Sequence, residues 1–156
     1  MDVYERLEEL GIELPEPPPP GGIYTPVIEF DGNLVYTSGV GPTDATGAAV
    51  FTGKLGEGLS VEQGQEAARL TALNLLGLLH ARLGDLRRIK KIVKLLGFVA
   101  SADDFYAQPQ VMNGASQLLL DVFGESAGKP ARSAIGVNVL PINIPVEIEL
   151  VIELNG

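Results

Sequence analysis

PARSAIGVNVLPINIPVEIELVIEL, residues 130–154, sets the fold, because two strands with opposite character sit in it back to back. Side chains alternate across a strand. A strand over 145–153 therefore places Val146, Ile148, Leu150 and Ile152 on one face and Glu147, Glu149, Val151 and Glu153 on the other. A strand over 132–139 places Ser133, Ile135, Val137 and Val139 one way, and Arg132, Ala134, Gly136 and Asn138 the other. The branched apolar faces are expected to pack on helices. The opposite face is too small at Ala134 and Gly136 for open water and is read as covered by a second subunit.

Read as a hairpin symmetric about Ile142-Asn143, the two strands put Asn138 opposite Glu147. Arg132 then lies about 20 Å away at ~3.3 Å per residue. On that geometry Arg132 and Glu147 share a site only if a neighbouring subunit supplies one of them. The alternative is a pairing of Arg132 with Glu153 and no site at all.

Working back along the chain, "YTPVIEF" and "LVYTSGV" flank Asp31-Gly32, a hairpin signal, and predict strands over 24–30 and 33–39. The Gly- and Thr-rich run after Gly41 reads as loop with a short strand at 49–52. Ser60 followed by Gln63 is a capping-box pattern, and the Ala- and Leu-dense run to Leu83 ends at Gly84, so a long helix is expected there. "IKKIVKLLGFVAS" reads as a strand over 90–100. A second helix starts between Asp103 and Pro109, with proline in its first turn, and ends at Phe123-Gly124. The order is ββαβαββ, an α+β fold with two helices on one face of a mixed sheet. Residues 1–21 add a short helix spaced by Val3, Leu7 and Leu10, then a stiff "PEPPPP" arm, and residues 22–156 form the domain.

Composition narrows the function. The chain has 156 residues, 46% of them hydrophobic, and carries a net charge of −9. An acidic surface is poorly suited to nucleic acid, whose non-specific affinity comes from clustered basic charge. The basic run from Arg87 to Lys94 reads as a solvated connector. With no cysteine, thiolate chemistry and disulfides are excluded. "MDVYERLEEL" is unlike a signal peptide and no uncharged run is long enough for a membrane span, so a cytoplasmic protein without membrane partners is expected. His80 sits among leucines as a helix-face residue, Ser38 lacks a histidine partner, and Asp103-Asp104 read as a helix start rather than metal ligands.

Four stretches in order resemble the RidA/YjgF family of reactive-intermediate deaminases, formerly called endoribonuclease L-PSP. They are "LVYTSGVGP", the helix from Ser60, "GFVASADDFYAQPQVMNGASQLLLDVFGE" and "ARSAIGVNVLPINIPVEIE". The likeness covers residues 22–153 and is closer to a longer RidA-like branch whose substrates are poorly defined. The resemblance implies a chorismate-mutase-like ββαβαββ fold and a homotrimer with clefts between subunits. It also implies that Arg132 grips a substrate carboxylate and Glu147 positions water, as the catalytic pair. Tyr24, Asn113 and the turn from Gly39 to Pro42 match substrate-binding positions. Val40-Gly41-Pro42 departs from the glutamine, apolar residue and proline of typical deaminases, and Gly136 and Asn138 also differ.

The implied reaction is hydrolysis of small 2-imino or enamino acids to 2-oxo acids and ammonia, with no metal or cofactor. A planar guanidinium suits the carboxylate, and a carboxylate base suits the attacking water. A second reading is capture of a small carboxylate-bearing metabolite, such as a 2-oxo acid, without turnover. Endoribonuclease activity is the third, and the acidic charge argues against it.

Overall fold

The computed structural model describes residues 1–156. Helix α1 (Val3–Glu9) begins with a full capping box, in which the Asp2 carboxylate accepts from the backbone of Tyr4 and Glu5 while Glu5 accepts from Asp2 N–H. Strands β1 (Val27–Phe30) and β2 (Leu34–Thr37) form the expected hairpin. Asp31 and Gly32 both have positive φ there, as a turn matched to strand twist requires. The loop that follows holds only a two-residue parallel pair, β3 (Lys54–Leu55) with β4 (Gly58–Leu59), and no strand over 49–52. Helix α2 (Val61–Leu83) is capped by Ser60 and Gln63 reciprocally and stops at Gly84. Strand β5 (Ile89–Ala100), helix α3 (Gln108–Gly128), strand β6 (Ala131–Val137) and strand β7 (Val146–Leu154) complete the chain. Asp103-Asp104 lie in a turn before α3, and Gly124 breaks that helix with φ of 79°.

The five-stranded sheet has the order β1-β2-β7-β5-β6, with the helices on one face. Two expectations are corrected here. First, residues 130–154 are not a hairpin: β6 runs parallel to β5 on one side, and β7 runs antiparallel to β5 on the other. The proline-bounded linker crosses the end of β5 through a 3-10 turn, Pro141–Asn143, instead of folding tightly back. Second, the faces of β6 are reversed. Arg132 and Ala134 are opposite Leu95 and Gly97, which point into the helices, so Arg132, Ala134 and Gly136 lie on the helix side. Their small size has a local cause: a Cβ on Gly136 would lie 2.8 Å from Gln108 Nε2 at the start of α3. Ile135 is instead 44% exposed, opposite Phe98 on the open face.

The core lies between α2, α3 and the inner face of the sheet, and includes Val3 and Leu7 of α1. The Tyr4 hydroxyl and His80 Nδ1 share a hydrogen bond at 3.0 Å, tying α1 to α2. The two long helices meet closely at Gly114, where a Cβ would overlap the carbonyl oxygen of Gln65. Gly114→Ala should therefore lower stability by about 1–3 kcal/mol, because neither backbone can give way, despite alanine's higher helix propensity. An unchanged urea midpoint would show that α2 and α3 separate at no cost.

The outer face of the sheet carries no helix. Ile28, Phe30, Tyr36 and Ile135 are each 41% exposed or more on it. Glu147, Glu149 and Glu153 of β7 share this face, and exposed large apolar side chains grouped beside them are the mark of an interaction surface.

Candidate active site

Two clusters form at different places on the sheet. The first is a groove of about 560 Å³ where β2 ends and β7 begins. Tyr24, Ser38, Gly39 and Glu147 line it, with Asn74 and Leu78 of α2 and the arm residues Pro17–Pro20 on the far walls. Pro42 does not line it: it is buried behind the turn, and its carbonyl accepts from Val50 N–H.

Glu147 alternates outward from β7 between buried Val146 and Ile148. Burial holds its carboxyl above the ordinary value, and the negative charge of Glu149 two residues on adds to the effect. Glu149 in turn raises the Tyr36 phenol, chiefly by hydrogen bonding to it. Gly39 is needed for Glu147 to lie where it does, since a Cβ there would stand 2.7 Å from Glu147 Cδ and 2.8 Å from Oε1. The clash falls on the free end of a flexible side chain, which can swing away. Gly39→Ala should therefore leave the melting temperature nearly unchanged yet cost about 10²-fold in turnover, the scale expected for a displacement of about 1 Å. A variant with normal turnover would free Glu147 of any positional demand.

The turn from Gly39 to Thr43 is fixed from below. Asn74 Nδ2 donates to Gly41 O at 3.0 Å and to Thr43 O at 2.9 Å. Asn74 is a buried polar residue on an otherwise Ala- and Leu-rich helix, at helical spacing from Ala67 and Thr71, and that spacing is the sequence signal that would have singled it out. Ser38, rejected as a nucleophile for want of a histidine, lines the groove and donates to Thr25 O at 2.7 Å.

The second cluster sits on the sheet edge. Arg132 Nη1 donates to Asn113 Oδ1 at 2.8 Å and to Ser116 Oγ at 3.0 Å, and Nη2 donates to Pro109 O at 3.3 Å. All three partners are neutral, and no carboxylate of the chain forms an ion pair with Arg132. Glu153, the alternative partner, binds Lys90 at 3.0 Å instead. A fork of donors is thus held in place with its charge uncompensated, ready for an external anion.

The chain does not bring the clusters together. Arg132 and Glu147 are paired with Leu95 and Phe98 of the intervening β5. Three residues along and two strands across separate their Cα atoms by about 14 Å, and they point to opposite faces. Tyr24, Gly39 and Glu147 share the groove, whereas Asn113 joins Arg132.

Helices on one face of a mixed sheet in the order ββαβαββ define a chorismate-mutase-like α+β protein. The family model described as "YjgF/chorismate_mutase-like, putative endoribonuclease" matches residues 4–154, so the chain belongs to the RidA/YjgF family. It is 43% identical over 154 residues to Protein TCP17 of Trypanosoma cruzi, spanning 99% of this chain and 95% of that protein. Among solved structures it resembles Atu1372 of Agrobacterium tumefaciens, at 41% identity and a TM-score of 0.88, covering 98% of this chain and 92% of that one. A structure from Shewanella oneidensis MR-1, named a "putative endoribonuclease", matches at 35% identity and a TM-score of 0.91, covering 99% and 100%. No helix of the chain is long and apolar enough to cross a membrane.

Proposed function

We propose that the chain hydrolyses small 2-imino acids to 2-oxo acids and ammonia, in a cleft where the Arg132 cluster of one subunit meets the Glu147 groove of the next. The observation that carries this reading is the uncompensated guanidinium of Arg132, clamped by Asn113, Ser116 and Pro109 at a sheet edge. The exposed Ile28, Phe30, Tyr36 and Ile135 of the outer face give copies of the chain a reason to associate, and a closed homotrimer would cover them in every subunit.

A 2-imino acid carries a carboxylate next to its C=N carbon. Arg132 binds the carboxylate through paired N–H donors. The ionised Glu147 takes a proton from water as the water oxygen bonds to the imine carbon. The imine nitrogen takes up a proton, giving a tetrahedral carbinolamine. After a further protonation of nitrogen, the C–N bond breaks, ammonia leaves and the hydroxyl proton is lost, which yields the 2-oxo acid. A carboxyl held above its ordinary value is a stronger base once ionised, nearer the optimum for work at neutral pH.

The test is release of 2-oxo acid from freshly generated imines, with and without the protein. Acceleration that disappears in Arg132→Ala supports the reading, provided the variant still assembles. A second reading, capture of a 2-oxo acid without turnover, is favoured by Val40-Gly41-Pro42, which replaces the polar turn of typical deaminases. Ligand protection against unfolding, with no acceleration for any imine, would select it.

A further inference from the structure

Gly77 sits in the middle of α2 between buried leucines, where glycine costs about 1 kcal/mol relative to alanine. The reason lies outside the helix: a Cβ at Gly77 would overlap the carbonyl oxygen of Pro15. The N-terminal arm is thus seated backbone-on-helix. It is tied again at its far end, where Gly21 N–H donates to the Tyr24 hydroxyl at 3.2 Å. Between these ties the four prolines 17–20 form one wall of the groove, in a conformation proline pre-orders at little entropic cost.

The groove's lining combines the polar groups of Glu147, Ser38 and Tyr24 with the apolar surfaces of Pro17–Pro20, Leu78 and Ile144. A volume of about 560 Å³ falls in the range of pockets for ligands well above the size of a three-carbon acid.

We infer that the proline arm is the specificity wall of this site, and that the site selects 2-imino and 2-oxo acids with extended apolar side chains lying under Pro17–Pro20. The inference rests on the proposed placement of the carboxylate and reacting carbon between Arg132 and Glu147. Each methylene buried under the arm should tighten binding by about fourfold until the groove is full. The arm also orients the Tyr24 phenol through Gly21, so unseating it changes both the wall and one polar contact.

The test is calorimetric affinity of the full-length assembled protein for straight-chain 2-oxo acids of three to eight carbons. Wild type is compared with Gly77→Ala, and with a chain carrying Pro17→Gly, Pro18→Ser, Pro19→Gly and Pro20→Ser together. The Cβ added in Gly77→Ala meets Pro15 first, outside the groove lining, and faster hydrogen exchange at the Gly21 amide reports that the arm has left its seat. In wild type the affinity should rise stepwise with chain length, and in an unseated arm most of that rise should vanish. If Gly77→Ala fails to fold or keeps the arm seated, the four-proline variant gives the comparison. A flat wild-type series, absence of binding by every member, or a rise that survives without the ordered arm overturns the inference. Turnover separates the two claims. A preserved rise with no imine hydrolysed removes the catalytic reading alone, whereas hydrolysis of a short imine with a flat series removes the specificity wall alone.

Discussion

Glu147→Gln is expected to lower the rate of 2-oxo acid release by about 10²- to 10⁴-fold, the usual contribution of a positioned general base. Glutamine keeps the shape of the side chain and its contact with Gly39, so the groove should persist while its base is gone. The pH dependence makes the prediction specific. Burial, and secondarily the charge of Glu149, hold the Glu147 carboxyl above its ordinary value. The wild-type rate should then rise with pH through that elevated value as the base ionises. Glu149→Gln removes the second cause and should move the rising limb to lower pH, which a merely structural carboxylate would not do.

Stability should change in the opposite sense. In the unfolded chain Glu147 ionises at its ordinary value, whereas in the folded chain it holds its proton to higher pH. The folded state therefore binds more protons across that window, and stability falls as pH rises through it. Glu147→Gln should abolish that fall and make the variant at least as stable as wild type above the window. A variant that is both slow and unstable at neutral pH would mean that Glu147 holds the fold together, and the catalytic assignment would go with it.

Local signals carried most of the element order. The Ser60–Gln63 capping box, the Asp31-Gly32 turn and the alternation of Val146 to Ile152 are each complete within a few residues, and each element formed where its pattern stands. Strand partnership is not local. Residues 131–137 and 146–154 are adjacent in sequence, yet β5 lies between them, because a parallel pair with β5 lets α3 pack across both strands. The same cause reversed the reading of β6. Its small residues make room for Gln108 and α3 and not for a second subunit. At the groove, Glu147 stood out because it is charged in an apolar strand. Asn74 offers only its spacing on the buried side of α2 and Gly77 no signal at all, because their partners lie some 30 and 60 residues away: the carbonyls of Gly41 and Thr43, and that of Pro15.

Mixing two impaired chains, assayed at substrate well below KM, is the decisive test of where the site is built. Arg132→Ala should raise KM by about 10- to 100-fold by removing charge-assisted hydrogen bonds worth roughly 1.5–3 kcal/mol. Arg132→Lys should recover little, since an ammonium cannot present the planar fork that Asn113, Ser116 and Pro109 hold in place. Arg132→Ala and Glu147→Gln chains, unfolded and refolded together in equal amounts, form mixed assemblies. If each site takes Arg132 from one subunit and Glu147 from its neighbour, about one site in four receives both intact residues, and activity should return to about a quarter of wild type. If both residues served a site within one chain, every subunit would lack one of them and mixing would restore nothing. Within the chain the two residues are on opposite faces of the sheet with β5 between them. No side-chain rotation bridges that gap, so recovery on mixing requires a neighbour.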